Sequence, residues 1–133
     1  MRVVTLPPTV DISYDDESGI EIDALDLGGI YFYLYPFFLS LQQETGELID
    51  PQRIACFDAQ RLPALARELG RAHEAAGKQG EVFEQHVGRQ LSPQRKEIHE
   101  PVERSTLLAT IETLSAAVAR AQRLGHHVYF VGC

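Results

Sequence analysis

Two shortages limit what this 133-residue chain can be. It has only two cysteines, and it has no apolar run long enough to span a bilayer. Cys56 and Cys133 cannot make a disulfide framework, and the compartment they suggest is a reducing cytoplasm. The longest apolar run, Ile30 to Leu39, is interrupted by three tyrosines and Pro36. A membrane span needs about 20 apolar residues, so the run is expected to belong to a folded core. MRVVTLPPTV carries one base and is cut by Pro7-Pro8, which does not read as a secretory signal.

A third shortage is local. Residues 1–50 hold ten acids and a single base, Arg2, whereas residues 51–133 hold nine acids and eleven bases. Local charges of −9 and +2 account for the net −7. Seven of the acids (Asp11, Asp15, Asp16, Glu17, Glu21, Asp23 and Asp26) follow one another with no Lys or Arg between them. Such a segment can stay solvated, hold a cation or meet a basic partner. It would repel phosphate, and the later bases are scattered among acids, so nucleic-acid binding is not expected.

What the chain does have is a regular core pattern. With 44% hydrophobic residues, a chain of this length should bury roughly two-thirds of its unfolded surface as a single domain spanning 1–133. Leu34, Phe37, Phe38 and Leu41 predict a helix over 34–45, with Pro36 in its first turn and Gly46 closing it. Asp58 and a short turn at 59–61 should precede a helix over 62–76, whose apolar face is Leu62, Leu65, Ala66, Leu69, Ala72 and Ala76. Leu107, Ile111, Leu114, Val118 and Ala121 predict the longest helix, 103–124, ended by Gly125. Alternation predicts a hairpin from 81–90 and 94–100 and a last strand at 127–132, all three in one antiparallel sheet. A second, acidic hairpin is expected from Val10–Tyr14 and Ile20–Asp23. The order of elements predicts an α+β fold.

No catalytic motif survives inspection. With Gly19 at the sixth position of a calcium loop, Tyr14 and Leu25 fall where acidic ligands belong. His73-Glu74 opens like a zinc-protease motif, but Gly77 stands where the second histidine should be. His126 and His127 are adjacent and would point to opposite faces of a strand. His86 and His99 should face each other across the predicted hairpin, more simply as a surface pair than as a metal site. Gly77-Lys78-Gln79 lacks the Ser or Thr of a phosphate loop, Gly28-Gly29 opens no dinucleotide motif, and no G-x-S-x-G elbow exists. No cofactor and no metal are therefore expected. Cys56, in the apolar context IACF, keeps open a small hydrolase or thiol enzyme as the alternative function.

The acidic N-terminal third, the ETGELIDP segment after an aromatic helix, the amphipathic helix 103–124 and the closing VYFVG strand together resemble a known class. It is the small α+β immunity proteins that bacteria encode beside polymorphic toxins, contact-dependent growth inhibition systems included. The match is to overall character; such chains more often close with Gly-Asp, and here Cys133 follows Gly132. The resemblance implies a non-enzymatic cytoplasmic protein that binds one cognate toxin domain, commonly a nuclease. The expected contact residues are Asp11, Tyr14, Asp15, Asp16, Glu17, Glu21, Asp23 and Asp26, with Tyr31, Tyr33 and Tyr35 as further anchors. A homo-oligomer burying the run 30–39 stays open as another assembly.

Overall fold

The structure, a computed structural model, describes residues 1–10, 19–26, 28–91 and 93–132. Its elements are β1 (Arg2–Leu6), β2 (Ile20–Glu21), one turn of 3-10 helix (Asp23–Leu25), α1 (Gly29–Thr45), β3 (Ile54–Phe57), α2 (Leu62–Gly77), β4 (Val82–Gln90), β5 (Lys96–Glu103), α3 (Arg104–Leu124) and β6 (His127–Val131). The fold is α+β, as the element order implied. Among the described residues, no helix is long and apolar enough to cross a membrane.

Four strands form one antiparallel sheet in the order β2-β1-β6-β3. In this register Val3 lies opposite Phe130, which lies opposite Ala55; Val128 lies opposite Phe57. These five side chains point into the core, where the Phe57 and Phe130 rings meet edge to face at 5.6 Å. The helices add Leu34, Phe38 and Leu41 of α1, Leu65 and Leu69 of α2, and Leu107, Ile111, Leu114 and Val118 of α3. Each set repeats at helical spacing, so burial of one stripe per helix holds the layers together.

The sheet corrects the expected strand arrangement. β4 and β5 do form the predicted hairpin, but as a separate two-stranded sheet, and β6 is not part of it. β6 takes its hydrogen bonds from β1 and β3 instead. Neither partner shows in the sequence pattern, because a five- or four-residue strand has too few alternations to stand out. The hairpin lies on α1, with Phe83 against Tyr33 at 5.4 Å, and Pro101 in β5 suits a strand with an open edge. Near the N-terminus, Ile20 and Glu21 pair with Val3 and Arg2. The expected acidic hairpin therefore has β1 as the partner of its second arm; most of its first arm lies outside the described residues.

Helix boundaries follow local chemistry. α1 starts at Gly29 rather than near residue 34, so Pro36 sits inside the helix and not in its first turn. The start carries no side-chain cap from its own segment; instead the Gly29 N–H donates to Glu100 Oε2 of β5 at 3.0 Å. A carboxylate at a helix N-terminus satisfies an orphan donor and complements the helix dipole. The ends of α1 and α3 are glycines in the left-handed region, Gly46 at φ 82° and Gly125 at φ 68°. Before α2, Asp58 Oδ1 accepts from the N–H groups of Gln60 and Arg61 at 3.1 and 3.0 Å, forming the turn that the sequence anticipated.

Between α1 and α2 a carboxylate is buried. Glu68 is only 2% exposed, takes two contacts from Arg71 Nη1 at 2.9 and 3.1 Å, and accepts from Ser40 Oγ at 3.3 Å. Arg67 pairs with Glu44 on α1 beside it. A charge this deep is tolerable only because it is paired and hydrogen-bonded.

Two glycine-to-alanine substitutions should move stability in opposite directions. At Gly29 an added Cβ would lie 2.6 Å from Val102 Cγ2, so Gly29→Ala should cost about 1–3 kcal/mol by overpacking the contact between α1 and β5. Gly70 is inside α2 with nothing within 4 Å of an added Cβ, so Gly70→Ala should add about 1 kcal/mol. Urea unfolding of both variants measures the pair.

Candidate functional site: an acidic edge

The acidic segment can be followed from β2 onward. β2 delivers Glu21 to the sheet edge, and the 3-10 turn that follows brings Asp23 and Asp26 to the same place. All three are exposed, and a carboxylate oxygen from each lies within 4.8 Å of the others. Leu25, fully buried between them in sequence, anchors the turn to the core. Carboxylates this close repel one another unless a cation sits among them.

That cation is supplied by Met1, immediately before β1. The Met1 ammonium lies 2.9 Å from Glu21 Oε1 and 2.9 Å from Asp26 Oδ1, and the Ile22 N–H donates to the Met1 carbonyl at 2.8 Å. Burial pulls the ammonium pKa down, but hydrogen bonds and charge from Asp26 and Glu21 outweigh it and hold it above its ordinary value. Three oxygen donors could also ligate a hard cation. Two of the three are already neutralised, and exposed acids alone do not define a metal centre.

Beside this edge runs a groove of about 410 Å³, lined by Asp23, Asp26, Ile30, Val102, Glu103 and Thr106 among others. It lies where the N-terminus of α1 meets the base of β5. Glu103 and the helix-capping Glu100 therefore add negative charge from the far end of the sequence. The reading from sequence missed both; the available signal was the repeated acid in KEIHEPVE, which places Glu97, Glu100 and Glu103 along one strand.

Of the expected contact residues, Glu21, Asp23 and Asp26 are brought together at this exposed edge. Asp11, Tyr14, Asp15, Asp16 and Glu17 lie outside the described residues. The additional tyrosine anchors need correction. Tyr31 is only 3% exposed and donates its hydroxyl to the Ile49 carbonyl at 2.9 Å, so it belongs to the core. Burial first, then the charge of Asp50 and the neighbouring Tyr35, push its pKa to about 12. Tyr33 is half-buried between Phe37 and Phe83, and Tyr35 is half-buried too. The helical stripe of α1 turns these side chains inward or against the hairpin, which is why a run of aromatics was a weak sign of an interface.

Cys56 stands on β3 opposite Tyr129 of β6. Burial raises its thiol pKa; a hydrogen bond with Tyr129 lowers it, Glu47 and Asp58 raise it further, and Arg61 lowers it. The net displacement is upward, against formation of the thiolate a nucleophile requires. His73 Nε2 is 3.1 Å from Glu112 on α3, an exposed link between helices rather than half of a zinc motif.

In comparisons with known proteins, the chain matches no family model, no curated protein and no solved structure. The site must therefore be read from its own chemistry.

Two measurements test this placement. In a Cys133→Ser background, Cys56 should react with a disulfide reagent at neutral pH more slowly than free cysteine does, and faster as pH rises. Tyr31→Phe should cost about 1 kcal/mol near neutral pH by losing one hydrogen bond. The folded pKa of Tyr31 lies above the ordinary value of 10, so its stabilising contribution is complete below pH 10 and is lost as pH climbs towards 12. The phenylalanine variant should lack that alkaline loss, which denaturant unfolding at about pH 8 and about pH 11 will register.

Proposed function

We propose that this protein is an immunity protein, which binds a cognate bacterial toxin domain and neutralises it by covering a basic working surface. It acts in the cytoplasm by occupying a surface and not by catalysis. The observation that carries the reading is the acidic edge. Glu21, Asp23 and Asp26 converge beside a groove to which Glu103 adds a fourth carboxylate, and no Lys or Arg is among its described lining residues. Five further residues of the expected contact set, four of them acids, immediately precede this edge in the sequence.

The physical logic favours a nuclease as the target. An enzyme that must attract phosphate presents a basic face, and a carboxylate-lined groove is its electrostatic complement. Complementary charge accelerates encounter and rejects wrong partners, and apolar lining such as Ile30 and Pro101 supplies area that water can leave. A second copy of this chain would set one acidic edge against another. A thiol enzyme built on Cys56 would need a depressed pKa, and this thiol's is raised.

The test is co-expression with the product of the gene immediately upstream. Rescue of growth and a co-purifying complex are the expected results. Absence of both toxicity and complex formation would remove the immunity reading. Within a complex, the Asp15→Lys, Asp16→Lys, Glu17→Lys and Asp23→Lys substitutions combined should slow association about tenfold or more at low salt and flatten its salt dependence. An unchanged rate would take the acidic edge out of the interface while leaving the partner in place.

A further inference from the structure

On the solvent face of the β4–β5 hairpin, His86 and His99 are directly paired across the strands, at the point where a β-bulge shifts the register. Their rings are 5.2 Å apart, centroid to centroid, and inclined at 70°. His86 Nε2 is 2.5 Å from Glu97 Oε2, and the other oxygen of Glu97 accepts from Arg89 Nε at 2.8 Å. Among the described residues, no hydrogen bond engages the ring nitrogens of His99. All four side chains are exposed.

We infer that His86 and His99 form a binding site for a divalent transition-metal cation such as Zn²⁺, with Glu97 positioning the His86 ring. A metal–nitrogen bond of about 2.0 Å places each imidazole centroid roughly 3 Å from the ion, so two histidines on a tetrahedral ion have centroids about 5 Å apart. The two rings already stand at about that separation, 5.2 Å, on residues paired across the strands. With the His86 ring held by Glu97, turning the exposed His99 ring about its Cβ–Cγ bond is inexpensive, because that torsion is broad. In the neutral His86 ring, Glu97 accepts from Nε2–H and leaves the Nδ1 lone pair for the metal. This is the carboxylate–histidine–metal relation that fixes a ligand's tautomer and raises its basicity. Arg89, held on the other carboxylate oxygen, keeps Glu97 in place.

The site differs from the acidic edge in donor chemistry. Imidazole nitrogens suit zinc, copper or nickel, whereas three carboxylates suit harder cations. Two protein ligands leave coordination positions for water or for a side chain of a bound partner. An ion here would bridge β4 to β5 and stiffen a two-stranded ribbon, an element of marginal stability by itself.

Zn²⁺ titration of the full chain near pH 7.5, by calorimetry and by the imidazole proton resonances, tests the inference. The background should carry Asp23→Asn and Asp26→Asn, so that binding at the acidic edge does not contribute. Binding that shifts the His86 and His99 resonances is expected. His86→Ala and His99→Ala should each weaken it at least tenfold, Glu97→Gln should weaken it about tenfold, and His73→Ala should leave it unchanged. Circular dichroism checks that each variant is folded. No binding at millimolar zinc, or equal affinity in the His99→Ala protein, would overturn the site.

Discussion

The constraint on which the rest depends is the pairing of β1 with β6. Those strands come from opposite ends of the chain and lie side by side in the middle of the sheet, five residue pairs in register. Each has a second partner, β2 on one side and β3 on the other, so neither central strand is an edge. The helices need a wide apolar sheet face to cover their own stripes, and without this pairing no such face exists. Val3, Val128 and Phe130, from these two strands, are therefore as central to the core as Leu65 or Leu114.

The same pairing places the chemistry. Because β1 is inside the sheet, the residue just before it is fixed in space, and the Met1 ammonium meets Glu21 at the end of β2 and Asp26 just beyond it. Carboxylates that would otherwise repel one another are held as a group. At the other margin of the groove, the β5 strand caps α1 through Glu100 and contributes Glu103. Two separated stretches of sequence, 21–26 and 100–103, thus supply one negative surface, and Met1 supplies the cation within it. The hairpin that contributes one margin of it also presents the His86–His99 pair on its solvent side, so two ligand chemistries occur on one molecule without competing for the same residues.

Legibility from sequence followed the length of the repeating pattern. The helix over 103–124 and its Gly125 stop were readable because the apolar stripe runs for many turns; α3 occupies Arg104–Leu124. The turn at Asp58 was readable because Asx chemistry and Pro63 both restrict the backbone there. β1 and β3 were not readable, since a few residues cannot display a period and Pro7 or Asp50-Pro51 nearby suggests a loop. With those two strands missing, β6 could only be assigned to the hairpin, which was the wrong sheet. Part of the acidic edge was visible as a run of acids. Glu100 and Glu103 were not, because only the tertiary contact of β5 with α1 brings them there, and nothing in the sequence marks the Tyr31 hydroxyl as bound to the Ile49 carbonyl inside the core.

The long-range closure has a consequence for the order of folding. A ribosome makes β1 first and β6 after every helix, so the central pairing cannot form until nearly all of the described chain has been synthesised. The three helices can collapse earlier through local contacts, but the sheet that organises them must wait for its last strand. Contacts of such high sequence separation slow the search for the native state. During that interval β3 has no partner strand and β1 has only the two-residue β2, a period in which aggregation competes with folding.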